Sequence, residues 1–189
     1  YHVFERLNTG GTQLVSQEIR NCIYHGPFND LLCKLNSDAS WRKLFGKASP
    51  DRRQRDVELI LRFLALRFSH DEYQKPMKDF LSKFMAVHRR DESSVLASYE
   101  EAFKGAVEEV LARLGENPFH IRAGLNAAVF DATLTAFSTN LQSIPQNIRA
   151  RFDALVKDES FLRSVSSGTT DNEVVASRLR AAATALFGA

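Results

Sequence analysis

An all-α fold, a bundle of about ten helices, is what this 189-residue sequence predicts, on three observations. Apolar residues recur every three or four positions, the spacing that gathers side chains on one face of a helix. Strict two-residue alternation, the mark of a half-buried strand, is absent. The prolines, at 27, 50, 76, 118 and 145, each precede or open an apolar-periodic stretch. A helix tolerates proline there, because its first N–H groups have no intrahelical partner.

The elements follow in order. Ile60, Leu61, Leu64 and Phe68 form one stripe, and Met77, Phe80, Leu81, Phe84, Met85 and His88 another. Leu96, Tyr99, Phe103, Val107, Val110 and Leu114 run along a longer helix. Phe130, Leu134, Phe137 and Leu141 form the next, and Val175, Leu179, Ala182 and Leu186 the last. Gly26, Gly46 and Gly115 fall where helices should stop. Thr170 with Glu173 reads as a capping box, in which hydroxyl and carboxylate each take a backbone N–H at a helix start. The expected helices are near 16–25, 28–36, 39–45, 52–69, 76–90, 94–114, 124–141, 146–157, 159–165 and 171–187. The polar stretch Asp91 to Ser94 marks either a boundary between lobes 1–90 and 91–189 or an ordinary loop of a single bundle.

Composition narrows the class. With 44% hydrophobic and 25% charged residues the chain has the balance of a folded domain rather than a disordered one. No apolar run approaches the ~20 residues of a membrane span, and no secretory leader is visible, so the expectation is a cytoplasmic protein without a membrane partner. Cys22 and Cys33 are expected to be buried, reduced thiols. Starting at Tyr1, the chain is expected to begin inside a longer polypeptide. The net charge of +2 hides an asymmetry. Residues 1–90 carry sixteen Lys and Arg against ten Asp and Glu, and residues 91–189 nine against thirteen. The first half could therefore face phosphate, of a nucleotide or of nucleic acid, although a solvated surface explains the excess as readily.

Two segments could carry binding chemistry. Phe4 to Leu14 joins a charged pair, Glu5-Arg6, to the polar glycine turn Asn8-Thr9-Gly10-Gly11 and then to the helix of Glu18 and Arg20. Glycines let a ligand approach the backbone, and a helix N-terminus offers free N–H groups to an anion. No Lys-Ser or Lys-Thr follows, so this is not a P-loop. Around Pro50, Arg42, Lys43, Lys47, Arg52, Arg53 and Arg55 collect. Three arginines in the expected first helical turn oppose its macrodipole, so contact with phosphate or an acidic surface is one reading, and local pairing with Asp51, Asp56 and Glu58 the other. Metal-ligand spacing is missing: Cys22 and His25 share a helix face, but only Cys33 lies near, and His2, His70, His88 and His120 are isolated. No nucleophile elbow or catalytic cysteine setting occurs, so no catalytic residue is assigned.

Val3-Phe4-Glu5-Arg6-Leu7-Asn8-Thr9-Gly10-Gly11-Thr12-Gln13-Leu14 with Gln17-Glu18-Ile19-Arg20-Asn21 resembles the hallmark of the N-terminal domain family of GmrSD-type restriction endonucleases. Glu58 to Ala65, the Phe80 to Met85 stripe, Ala128 to Ala132 and Ser166 to Asp171 resemble later helices of that family. Ser16 stands where many members have proline. The resemblance implies the helical part of a nucleotide-dependent protein that restricts modified DNA in phage defence. It implies an upstream α/β domain, similar to the ParB and sulfiredoxin fold, with an Asp-Gly-Gln-Gln-Arg motif absent here. Neither that motif nor an HNH nuclease motif is present in these residues, so no cofactor belongs to this part alone. A nucleoside triphosphate with Mg is implied for the longer protein, with Arg6, Asn8, Thr9, Gly10, Gly11, Glu18 and Arg20 forming one wall of its pocket. The competing expectations are a non-enzymatic helical module that contacts DNA or protein, and a helical brace for a missing domain.

Overall fold

The structure, a computed structural model, describes residues 14–121 and 124–188. Among these residues ten α-helices and two 3-10 turns form, with no strand element: α1 Ser16–Ile23, α2 Pro27–Asn36, α3 Ala39–Phe45, α4 Arg55–Ser69, α5 Met77–His88, α6 Ser93–Leu114, α7 Ala127–Thr139, α8 Ile148–Leu155, α9 Glu159–Ser164 and α10 Asn172–Phe187. The helical bundle read from periodicity is therefore what forms. Pro27 is the first residue of α2, and Pro76 caps α5.

Two helices are central. On α4, Val57, Leu59, Ile60, Leu61, Phe63, Leu64, Ala65 and Leu66 are all buried, and on α7 the run Ala128 to Leu134 is buried without a break. A helix that is apolar all round must be surrounded. Accordingly α4 packs against α1, α2, α5, α6 and α7, while α7 also meets α6 and α10. Trp41 of α3 fills the seam, with ring centroids 5.7 Å from Phe103 and 5.5 Å from Phe130. The buried apolar residues from Phe28 to Leu186 form one continuous cluster.

Local chemistry sets the ends. Asp38, Asn126 and Asp158 accept the first free N–H groups of α3, α7 and α9. Glu18 accepts the Val15 N–H at 2.6 Å and closes the start of α1. The box expected from Thr170 and Glu173 does not form. Asp171 is the N-cap of α10, and the Thr170 carbonyl instead accepts the Tyr73 hydroxyl at 2.6 Å. The fourth helix also starts later than expected. Arg52 and Arg53 lie in a turn, Gln54 takes a left-handed backbone at φ 55°, and α4 opens at Arg55, so only one of the three arginines meets the helix dipole. Both cysteines are exposed rather than buried, because each falls on the outer face of its helix.

A polar knot ties α2, α3 and α4 together. Asp56, fully buried, accepts Arg42 Nη1 at 2.7 Å, Asn36 Nδ2 at 3.1 Å and the Asp51 N–H at 2.8 Å. Asn36 in turn accepts the Trp41 indole N–H at 3.0 Å. Removing one member of such a pair leaves a charge buried and uncompensated. Asp56→Ala is expected to cost about 3–5 kcal/mol of unfolding free energy in chemical denaturation. A loss below about 1 kcal/mol, the scale of a solvated pair, would contradict this account of the knot.

Candidate functional site

The basic cluster around Pro50 divides in the structure. Arg42, expected either to face phosphate or to pair locally with Asp51, Asp56 or Glu58, does the second: besides Asp56 it binds the carbonyls of Lys47 at 2.8 Å, Ser49 at 2.7 Å and Asn36 at 3.3 Å. Every nitrogen of its guanidinium is used, so it shapes the Lys47–Asp51 turn and does not reach a partner. Lys43, Arg52 and Arg53 are exposed, with no side-chain ion pair among the described residues. Lys47 and Arg55 reach Asp51 at 3.7 and 2.7 Å. Arg20, expected one turn inside a nucleotide pocket, is 1% exposed and bonds to Glu58 at 2.9 Å, Gln17 at 2.7 Å and Ser82 at 3.2 Å. It pins α1 to α4 and α5. Glu18 is committed to the cap described above. Arg6, Asn8, Thr9, Gly10 and Gly11 lie outside the described residues.

Of these side chains, Lys47, Arg55 and Glu58 line a hollow of about 370 Å³ beside the first two turns of α4 and the approach to α7. Phe45, Leu59, Leu125 and Ala127 make apolar walls, and Lys47, Arg55, Arg62, His120 and Glu58 supply polar groups. The Gly46 turn places Lys47. Its φ of 78° favours glycine, and a Cβ there would stand 2.8 Å from Asn117 Oδ1, so a larger residue would strain the backbone and push the Asn117 side chain aside.

Charge collects at this hollow for identifiable reasons. Arg62 grips the fully buried Asp131 of α7 through Nε and Nη2, and its Nη1 has no partner among the described residues. Burial works against the Arg62 charge, but Asp131 and Glu58 outweigh it and hold the guanidinium pKa above its ordinary value. The residue is therefore a fixed cation whose orientation is set from behind. Lys47 and Arg55 share the single carboxylate of Asp51, which leaves positive charge in excess. The Arg55 hydrogen bonds dominate and lower the Asp51 pKa to about 2. His120 Nδ1 is buried without a hydrogen-bond partner. Three cations, a histidine and apolar walls are chemistry for an anion joined to a less polar body, and the volume lies within the range of small-molecule pockets.

A larger groove of about 1190 Å³ runs between α7 and the start of α10. Its charged residues, His70, Asp71, Glu173 and Arg180, are of mixed sign and its walls mainly apolar, so the smaller hollow is the site where charge converges. Sequence reasoning missed Arg62, Asp131 and His120 as site residues. One signal was available: a lone arginine in Leu59-Ile60-Leu61-Arg62-Phe63-Leu64 and a lone aspartate in Ala128-Val129-Phe130-Asp131-Ala132 each need a partner once their helices are buried. Among the described residues, no group of three His, Cys, Asp or Glu could hold a metal, and no helix is long and apolar enough to cross a membrane. Compared with protein-family models, curated proteins and solved structures, the chain matches none.

The lowered Asp51 pKa has a consequence for acid stability. A carboxylate whose folded pKa lies below its ordinary value contributes stability that is complete above the ordinary pKa and disappears as pH falls through the folded one. The stability difference between wild type and Asp51→Asn should be constant above about pH 5 and shrink between about pH 4 and pH 2. Chemical denaturation across that range checks it, and a difference that stays constant to pH 2 contradicts it.

Proposed function

We propose that this chain is the helical part of a GmrSD-like, nucleotide-dependent protein for restricting modified DNA in the cytoplasm, and that its hollow takes nucleotide phosphate. The observation that carries the reading is the convergence of Lys47, Arg55 and Arg62 on one hollow in which, among the described residues, Glu58 is the one lining acid, itself occupied by Arg20. Arg20 belongs to the hallmark-like segment, so that segment is tied through α1 to a residue of the hollow. In this reading Arg6, Asn8, Thr9, Gly10 and Gly11 of the same segment, and an upstream α/β domain, complete the pocket around a nucleoside triphosphate with Mg. The apolar walls suit the ribose and base, while Lys47, Arg55 and Arg62 Nη1 suit phosphate oxygens. No residue here is assigned a bond-breaking role.

A second reading is favoured by Lys43, Arg52 and Arg53, which are exposed and carry no ion pair among the described residues: a non-enzymatic surface that contacts DNA phosphates. The two readings separate by calorimetry and DNA-shift assays on the same variants. Lys47→Ala and Arg55→Ala should each weaken Mg-ATP binding about tenfold, the scale of one charge-assisted hydrogen bond, while Arg52→Ala leaves it unchanged. Arg6→Ala and Asn8→Ala should weaken it too. Nucleotide affinity indifferent to Lys47 and Arg55 would sink the pocket assignment. Salt-sensitive DNA binding lost in an Arg52→Ala, Arg53→Ala variant would favour the second reading.

A further inference from the structure

A second cationic group lies outside the lining of the hollow. Arg178 of α10 is 1% exposed, and its Nη1 donates to the carbonyls of Ser164 at 3.0 Å and Thr169 at 3.1 Å. Its Nε and Nη2 are buried and bond to no protein atom. These two nitrogens form the edge with which Arg62 grips Asp131 and Arg55 grips Asp51, the edge that matches a two-oxygen anion. In Arg178 that edge is fixed in place by the two carbonyls and has no carboxylate.

The charges around it do not cancel. Arg62, Asp131, Arg178 and Tyr73 sense one another here; Arg62 also senses Glu58, which is matched by Arg20, and Tyr73 senses Asp171, which is matched by Lys75. Asp131 accepts both bonds from Arg62, and the Tyr73 hydroxyl donates to the Thr170 carbonyl. Two guanidinium groups and one carboxylate leave an excess of one positive charge in the interior, and an uncompensated buried ion is costly. The turn over Arg178 is fastened from outside: Lys75 donates its N–H to Asn172 Oδ1 and its ammonium to Asp171 Oδ1, both at 2.8 Å.

We propose that Arg178 is an internal anion site, which takes one small monovalent anion of carboxylate shape on its Nε–Nη2 edge as the 164–171 turn closes over it. A monovalent ion neutralises the excess, and the planar pair of donors selects a two-oxygen group. Because this site does not share a contact with the nucleotide hollow, it stands or fails independently of the proposed function.

Formate is the probe, with gluconate, too bulky to enter, as the ionic-strength control. Protein dialysed into gluconate should gain roughly 5–10 °C in thermal midpoint at formate concentrations about a hundred times its dissociation constant. Arg178→Met should show no formate-specific gain, and in gluconate alone should be at least as stable as wild type, since it no longer buries an excess charge. If that variant does not fold, diffraction from wild-type crystals grown with formate decides, by planar three-atom density within about 3.5 Å of Nε and Nη2. Equal formate response in both proteins, or density at that edge that refines as a single water in formate-grown crystals, overturns the proposal.

Discussion

The Arg62–Asp131 pair sits where the two most buried helices cross, and the rest of the arrangement depends on it. Asp131 has no exposure at all, so its charge requires a partner held in good geometry, and Arg62 supplies two parallel N–H groups across the α4–α7 contact. Replacing either residue strands a charge inside the bundle, which costs several kcal/mol. The pair therefore specifies how α4 and α7 register against each other as well as which face each presents. It also fixes the Arg62 guanidinium, whose Nη1 has no hydrogen-bond partner among the described residues, at the edge of the hollow.

This division of labour recurs through the basic half of the chain. Arg20 and Arg42 spend their charge inside, on Glu58 and Asp56, and hold α1 and the Lys47–Asp51 turn in place. Arg55 and Lys47 stay at the surface, oriented by Asp51 without being neutralised by it. A positive half-chain thus resolves into buried braces and a few presented cations. In the proposed function the presented ones bind the anion, and braces that hold them in place would lower the ordering entropy that opposes binding.

The fold was legible because helical periodicity and the placement of Pro27, Pro76, Gly46 and Gly115 are local signals. Where local signals failed, tertiary contacts had overridden them. Gln54 adopts a left-handed turn that delays α4, and Tyr73 holds the Thr170 carbonyl while α10 starts from an Asp171 N-cap, one residue too late for a Thr170–Glu173 box. The candidate site was half legible. Lys47 and Arg55 were visible as part of a basic run, but the same run contained Arg42, and nothing in the spacing says which cation turns inward. Arg62 and His120 come to the hollow from segments far apart in the chain, and only packing brings them together.

The most direct test concerns the nitrogen that the buried pair leaves free. Arginine side-chain NMR on nitrogen-15-labelled protein reads each guanidinium group separately. Saturation with Mg-ATP should shift the Arg62 Nη1 resonance while its Nε–H and Nη2 resonances remain in place and slow to exchange, held by Asp131 throughout. An Arg62 spectrum unchanged by nucleotide, or an Nε–H that exchanges as fast as in free arginine, would contradict the account.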